Sequence, residues 1–250
     1  MDVAGRGCAR RAGGAALGLG RAARAAAAGR RGPAVTITIG GSGGLAPALQ
    51  IVLFLTALAL VPAALVMMTA FTRILVVLSF VRTAVGAGQV PPNAVIIGLA
   101  LFLTIFVMAP VGQAVYRDAW VPLRAGQIDE ATALRRAEGP ARDFMLKETR
   151  ESDLALFWRL SGHTGQVRRE DVPLTALVPA FAISELKTAF EMGFLIYIPF
   201  LVIDMVVAST LMSMGMLMLP PVLVSLPFKV LLFVLVDGWH LVAQNLVQGY

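Results

Sequence analysis

The amino-acid sequence predicts an all-α protein that crosses a membrane several times. Hydrophobic residues make up 58% of its 250 residues, charged residues make up only 14%, and the mean hydropathy is +0.78. A soluble domain carries nearly twice that share of charge. The apolar residues also form runs of about twenty rather than a stripe at helical spacing, and such a run matches the thickness of a bilayer. We therefore predict a multi-pass bundle of helical hairpins.

Residues 1–44 differ from the rest of the chain and are expected to form an Arg/Ala/Gly-rich extension. A signal peptide needs an unbroken apolar stretch of about 7–15 residues, and Arg21 and Arg24 interrupt the only candidate. We expect a disordered extension or a start codon placed too far upstream, with a degenerate targeting signal as the alternative.

The excess of positive over negative charge lies in this extension. Its first 31 residues hold seven arginines and one aspartate, which accounts for the whole formal net charge of +6. The remaining chain is balanced, so it gives no reason to propose nucleic-acid binding. The lone Cys8 excludes an internal disulfide.

Residues 45–115 are predicted to form the N-terminal hydrophobic helices. An apolar run from Leu45 to about Val66 is interrupted by Pro62, and a second run continues to Val85. Because proline kinks or ends a helix, we expect two helical pieces, or one kinked helix, in a hairpin arm. Arg73 lies within the second run, where it either snorkels, binds a backbone carbonyl, or makes an inter-subunit or pore-facing contact.

The second half of this region is a turn followed by a clear membrane span. The turn, GAGQVPPN, combines two glycines with two prolines and ends in Asn93, a plausible N-cap. Residues 94–115 then form an apolar helix of roughly twenty residues with no charge, which predicts a transmembrane helix.

Residues 116–171 are predicted to form a soluble, charged insertion. This stretch holds ten basic and ten acidic residues, so its net charge is approximately zero. Within it, residues 141–159 are predicted to form one helix whose charged side is solvated. The apolar side of that helix is supplied by Phe144, Leu146, Leu154, Phe157 and Trp158.

Residues 172–250 contain two long apolar runs that carry isolated charges. Charge inside an apolar run is unfavourable in lipid and is a functional hypothesis by default. Lys187 and Glu191 lie four residues apart and can pair on one helical face. Glu185 points about 200° away from Lys187, which favours a partner in a neighbouring subunit, although pairing inside one subunit stays open. The charged residues are Glu185, Lys187, Glu191, Asp204, Lys229 and Asp237.

A methionine-rich connection separates these two apolar runs. Met212, Met214, Met216 and Met218 alternate along the chain, a spacing that places them on one side of an extended loop but scatters them around a helix. Ser213 and Gly215 loosen a helix, and Pro220-Pro221 disfavour helical conformation before them. Because methionine is flexible and polarisable, the segment suits either core packing or a deformable seal between subunits.

Enzyme activity is not predicted, and no cofactor or metal is expected. The two histidines, His163 in a loop and His240 three residues after Asp237, lack metal-ligand spacing, and we expect a local hydrogen bond between His240 and Asp237. Asp204 and Asp237 lack the glycine-rich context of intramembrane aspartyl proteases. A rival class is a multi-pass transporter or ion channel, but the internal repeat common in transporters is not seen.

Long motifs in this sequence closely resemble the FliP/SctR family, which includes flagellar FliP proteins and the SctR proteins of injectisomes. The resemblance runs from about Leu45 to the end of the sequence. It rests on residues 67–86, Pro91-Pro92-Asn93, residues 98–111, residues 184–187, Pro199, Asp204, residues 216–221, residues 226–229 and residues 236–239. The pattern FM-x-x-x-TRE-x-DLALF at residues 144–157 is closer to the flagellar branch, so a virulence injectisome is the alternative.

The resemblance implies a subunit of an oligomeric export gate in the bacterial inner membrane, at the flagellar basal body. It implies five copies of the chain, assembled with FliQ and FliR family proteins and other export proteins into a helical cone. Much of that cone is raised towards the periplasm, on the side of the charged insertion. Unfolded flagellar proteins pass along its axis during flagellum biogenesis, powered by partners.

The resemblance also implies roles for particular residues. Met216, Leu217 and Met218 correspond to a methionine gasket that closes the pore, and Leu217 departs from the usual methionine, which should leave a slightly stiffer seal. The residues expected to shape this loop are Gly215, Pro220 and Pro221. The residues expected to fix subunit contacts are Arg73, Glu185 and Lys187.

Overall fold

A computed structural model describes residues 46–250, apart from positions 164, 166, 167, 170 and 217. The predicted extension at residues 1–44 and the predicted gasket residue Leu217 therefore lie outside the described residues. Contacts divide the chain into two units, residues 1–55 and residues 56–250. Of the first unit, only the beginning of the first helix is described.

All regular secondary structure in the described residues is helical, as the sequence predicted. A π-helical turn, Tyr116–Trp120, links the third and fourth helices. The helices are α1 (Ala46–Met67), α2 (Phe71–Val85), α3 (Asn93–Val115), α4 (Val121–Arg124), α5 (Glu130–Glu148), α6 (Glu151–Leu160), α7 (Leu174–Ser213), α8 (Pro221–Leu235) and α9 (Gly238–Gln248).

The two predicted N-terminal pieces are present, but the predicted break at Pro62 is wrong. Pro62 lies inside α1, and the chain leaves the helix only after Met67. At the actual break between α1 and α2, threonine hydroxyls form hydrogen bonds with backbone groups. The Thr72 hydroxyl donates to the Val66 carbonyl at 3.0 Å, and the Phe71 N–H donates to the Thr69 hydroxyl at 3.4 Å. These bonds supply partners for groups that a helix end leaves unpaired.

Helix α3 begins at Asn93, close to the predicted start, but Asn93 is not its N-cap. Pro92 occupies the cap position, and the Asn93 side-chain oxygen instead accepts a hydrogen bond from Arg82 of α2. The apolar helix also continues past residue 115 through the π-helical turn and α4. The whole helical stretch Asn93–Arg124 is 32 residues long, enough to span a membrane.

The predicted single helix at residues 141–159 is wrong, because the chain breaks between α5 and α6. Thr149 is extended, with ψ 130°, and the Arg150 N–H donates to the Ser184 hydroxyl of α7 at 3.1 Å. A tertiary hydrogen bond thus replaces a local helical one. The break lets residues of both helices reach one apolar cluster with α7, formed by Met145, Leu154, Trp158, Val172, Ala176, Leu177, Ala180 and Phe181.

Helix α7 is 40 residues long and forms the main packing partner of α2. It passes through Pro179 and Pro199 without ending. Helix α2 buries one face at helical spacing against it, with Ile74, Val77, Leu78 and Val81 almost fully excluded from solvent. The two helices approach closely at Gly193, where an added Cβ would lie 2.6 Å from the ring of Phe80.

Helices α8 and α9 meet at a bend of 61°. Asp237 at this bend has a left-handed backbone (φ 49°), and Gly238 lies against the ring of Phe233. Because Asp237 precedes α9, it does not share a helical face with His240. The expected bond between them is not formed, and the Asp237 carbonyl instead accepts the Leu241 N–H.

Two helical stretches in the described residues are long and apolar enough to cross a membrane, namely Asn93–Arg124 and Leu174–Ser213. The bent pair α8–α9 forms a third if it is counted as one span. The chain therefore has the helical, multi-pass character that the composition predicted.

Candidate functional site

The methionine-rich connection between α7 and α8 begins with a compact helix cap. Gly215 has a left-handed backbone (φ 75°), and its N–H donates to the Met212 carbonyl at 3.1 Å. The Met216 N–H donates to the Leu211 carbonyl at 3.0 Å. This pair of bonds is a Schellman motif, which favours glycine at the left-handed position. The predicted extended conformation is therefore wrong for Met212, which is helical, and for Met214 and Gly215, which form the turn.

The methionine side chains of this turn are not packed into the core of the chain. Met218 is 98% exposed, and Met212, Met214 and Met216 are also exposed. The alternative that this segment packs into the core of the chain therefore does not hold for these four methionines. Beside the turn, an apolar groove of about 510 Å³ runs between α7 and α8, with Thr210, Met214 and Phe228 among its lining residues.

Two prolines fix the end of the methionine turn. Pro220 is the N-cap of α8, and Pro221 is its first residue. Proline suits the first helical position because its missing N–H has no partner there and its backbone angle is already helical. The connection therefore has a defined glycine cap at one end and a defined proline start at the other.

Below this turn, an ionic cluster joins α7 to α8. The Lys229 ammonium lies 2.5 Å from one Asp204 carboxylate oxygen, and the Ser225 hydroxyl donates to the other at 2.5 Å. Lys229 is buried, and its Nζ also lies 3.7 Å from the position of a Cβ on Gly86, in the turn after α2. The sequence singled out Asp204 and Lys229 as unfavourable charges but did not pair them, because 24 intervening residues separate them.

A second cluster centres on Arg73 and Glu185, two of the predicted subunit-contact residues. Arg73 pairs with Glu185 and, at 3.0 Å, with Glu148. Glu185 is fully buried. Of the two alternatives left open for Glu185, the structure shows pairing inside one chain, since α2 supplies Arg73 across the α2–α7 interface.

The predicted Lys187–Glu191 pair is also wrong, because Arg150 takes its place. Both Arg150 terminal nitrogens bind the Glu191 carboxylate, at 3.1 and 2.6 Å. Hydrogen bonding to Glu191 raises the pKa of Arg150. Lys187 is exposed on α7. The insertion thus contributes the cation that binds this face of α7.

The side chains that usually bind metal ions do not form a cluster in the described part of the chain. Among residues 46–250 with the gaps given above, no group of three or more His, Cys, Asp or Glu side chains is placed to hold a metal ion. His163, predicted to lie in a solvated loop, is exposed but also stacks on Trp158, with ring centroids 4.1 Å apart.

Comparison with known proteins gives a consistent result over most of the chain. The sequence model of the FliP family matches residues 54–246. The Flagellar biosynthetic protein FliP of Bacillus subtilis (strain 168) is 55% identical over 201 residues, which covers 80% of this chain and 91% of that protein.

Two further relatives carry the same description. The Flagellar biosynthetic protein FliP of Pectobacterium carotovorum subsp. carotovorum is 54% identical over 201 residues, covering 80% of this chain and 78% of that protein. The Flagellar biosynthetic protein FliP of Aquifex aeolicus (strain VF5) is 49% identical over 212 residues, covering 84% of this chain and 89% of that protein.

Proposed function

The chain belongs to the FliP family and is a structural subunit of the flagellar protein export apparatus, and from this membership we propose that it forms the closing element of the export gate. The observation that carries the proposal is the exposure of the methionine turn. Met218 is almost fully exposed on a turn whose two ends are fixed by Gly215 and Pro220.

Exposed methionines at a fixed turn need an apolar partner. Burying an apolar side chain of this size stabilises an assembly by about 1.5–3 kcal/mol. Several copies that present the same turn at a common axis supply that partner to one another. Met216, Leu217 and Met218 are our proposed gasket residues, and Gly215, Pro220 and Pro221 are proposed to hold them in place.

We further propose that five copies assemble with FliQ and FliR family proteins. The support from this chain is its large unpaired apolar surface, which includes Phe102, Phe106 and Ile105 on α3 and Leu231, Val234 and Leu235 on α8. Exposed apolar surface of this extent marks contact with lipid or protein. In the gate proposal this surface contacts neighbouring subunits. We also propose that the assembly lies in the bacterial inner membrane, a proposal that the two helices of spanning length support.

Among the proposed subunit-contact residues, Lys187 differs from Arg73 and Glu185. Lys187 is exposed and can reach a neighbouring subunit directly. Arg73 and Glu185 are buried within the chain, so in this proposal they act indirectly, by fixing the α2 and α7 surfaces that meet the neighbour.

The assembly is tested by the native mass of the detergent-extracted complex, after co-expression with the FliQ and FliR family proteins of the same organism. We expect a core with five copies of this chain that carries both partners. A monomer or dimer that ignores those partners contradicts the gate and favours a small-solute transporter.

The seal is tested by substituting Met216 and Met218 together with alanine and measuring ion leak across the membrane of cells that express the complex. We expect a higher leak than in the parent. Met205→Ala is the control, because Met205 is also an exposed methionine but lies on α7 away from the turn. Equal leak in the double variant and the control contradicts the gasket.

A further inference from the structure

Four separate segments of the chain meet at the side chain of Arg73. Helix α2 provides Arg73, α5 provides Lys147 and Glu148, α7 provides Glu185, and Gly249 and Tyr250 follow α9. Neither Glu148 nor Tyr250 was singled out in the sequence. Both belong to a cluster whose members lie far apart in the chain, so no local pattern marks them.

Both terminal nitrogens of the Arg73 guanidinium donate hydrogen bonds within this cluster, whereas its buried Nε has no hydrogen-bond partner among the described residues. One terminal nitrogen donates to the Gly249 carbonyl at 2.8 Å, and the other donates to Glu148 at 3.0 Å and to Glu185. Its central carbon lies 4.0 Å from the centre of the Tyr250 ring, a cation–π arrangement. Removing one partner of such a buried group leaves the other charges uncompensated.

Tyr250 touches both the insertion and the apolar helices. Its hydroxyl lies 2.8 Å from Glu185 of α7 and 3.2 Å from the Ala70 carbonyl next to α2, with one proton to donate between them. Its ring stacks on Phe144 of α5 at 5.9 Å, and its carbonyl accepts a hydrogen bond from Lys147. One side chain therefore bridges the end of α5 and the α2–α7 pair.

The buried Arg73 is paired with Glu185 and Glu148, and the second cation of the cluster, Lys147, is exposed. Arg73 and Lys147 face the carboxylates of Glu148 and Glu185, and Lys147 lies 3.4 Å from Glu148.

The insertion has other polar contacts with α7. The Arg150–Glu191 pair is more exposed, and the bonds of Ser184 to the Arg150 N–H and to the Asp153 carboxylate hold the start of α6 rather than the end of α5. A buried contact is screened less by water and salt than an exposed one. The Arg73 cluster is thus the stronger candidate for fixing the end of α5.

We propose that Glu148 and Tyr250 are positioning residues that lock the last turns of α5, and with them the charged insertion, onto the Arg73–Glu185 pair. The lock is a property of a single chain and goes beyond the gate proposal, since it holds whatever number of copies assemble. All residues of the lock belong to the same chain, so the lock requires neither a ligand nor a neighbouring subunit.

The lock is tested by hydrogen–deuterium exchange on the full-length chain in detergent. The variants are Glu148→Gln, Tyr250→Leu and their combination. We expect amide exchange in residues 141–148 to rise about tenfold in each single variant, while exchange in α8 stays at the parent rate. Because both residues act through Arg73, the double variant should exchange less than the product of the two single effects.

Three further variants separate positioning from general destabilisation. Tyr250→Phe keeps the ring but loses the hydroxyl, and we expect it to restore most of the protection lost in Tyr250→Leu. Tyr116→Leu and Glu151→Gln change an exposed tyrosine and an exposed glutamate, and both should match the parent. If Tyr250→Leu does not fold, Glu148→Gln carries the test, and Tyr250→Phe, which keeps the ring, should stay close to the parent.

Two results overturn the proposal. The first is unchanged exchange in α5 in Glu148→Gln and, where it folds, in Tyr250→Leu. The second is an equal rise in α5 and α8, which indicates a merely structural effect. Because exchange is measured on the single chain, these results are independent of the native-mass experiment on the gate.

Discussion

Lys229 is buried between helices α7 and α8 with its ammonium group 2.5 Å from the carboxylate of Asp204. Both helices are apolar, and α7 is long enough to span a membrane. A lone charge in such surroundings is strongly unfavourable, whereas an ion pair with a further hydrogen bond from Ser225 is tolerated. The two residues are therefore energetically coupled.

Breaking this pair on one side should destabilise the chain. We expect Asp204→Leu or Lys229→Met to lower the free energy of unfolding by about 3–5 kcal/mol, because each leaves an uncompensated charge. The double variant Asp204→Leu/Lys229→Met should recover most of that loss. The measurement is thermal unfolding in detergent.

The control for this prediction is the Arg169–Glu151 pair, whose side chains are exposed. Glu151→Gln should change the free energy of unfolding by less than about 1 kcal/mol. Additive losses in the Asp204/Lys229 double variant contradict the coupling.

Gly193 should tolerate no side chain, because α2 passes too close. An added Cβ lies 2.6 Å from the Phe80 ring, and that ring must move within a packed interface. We expect Gly193→Ala to destabilise the chain by about 1–3 kcal/mol, measured as the unfolding temperature in detergent. Gly98→Ala, which meets open space on α3, should not destabilise it. An unchanged unfolding temperature in Gly193→Ala argues against this close approach.

Gly215→Ala should weaken the cap of α7 at the methionine turn. A residue with a Cβ pays about 1–2 kcal/mol in the left-handed region that Gly215 occupies. We expect a lower unfolding temperature and faster amide exchange at Met214 and Met216. Gly112→Ala is the matched control: it lies inside α3 with open space around it and should stabilise the chain by about 0.5–1 kcal/mol. Equal effects of both substitutions contradict the cap.

Stability should fall at alkaline pH through Tyr250. Burial, followed by the nearby Glu185 carboxylate, raises the pKa of the Tyr250 phenol well above its usual range. The unfolded chain releases this proton near pH 10, whereas the folded chain retains it. The stabilisation that the protonated Tyr250 phenol adds to the free energy of unfolding is therefore complete below about pH 10. Above that pH, it is lost by up to about 1.4 kcal/mol per pH unit.

This pH dependence can be measured as thermal unfolding between pH 9 and pH 11. Tyr250→Phe should show a shallower decline than the parent, because it has no phenol to ionise. Tyr116→Phe, which changes an exposed tyrosine, should keep the slope of the parent. Parallel curves for Tyr250→Phe and the parent exclude the buried phenol as the cause.

The fold class was predictable from the sequence because it depends on local patterns. Long apolar runs specify helices of spanning length wherever they lie, and the helical, membrane-spanning prediction is confirmed. The family and its flagellar branch are confirmed by the relatives. The gasket role of the methionines stays a prediction, although their exposure agrees with it.

The errors have a common physical origin in contacts between distant segments. The break at Thr149 depends on a hydrogen bond from Arg150 to Ser184, 34 residues away. The partner of Glu185, which the sequence left open between a neighbouring subunit and the same chain, is Arg73, 112 residues away. Helical periodicity indicates only neighbours within four residues. It therefore predicted a Lys187–Glu191 pair and could not identify the arginines that bind Glu185 and Glu191.

The 40 residues of α7 set a mechanical relation between its two ends. At the usual helical rise the rod is about 60 Å long, roughly twice the hydrocarbon thickness of a bilayer. The insertion forms hydrogen bonds with the first half of α7 at Ser184 and Glu191, and the methionine turn caps the opposite end of the helix. A tilt of about 5° at the end bound by the insertion therefore displaces the turn by several ångströms, so α7 can act as a lever arm.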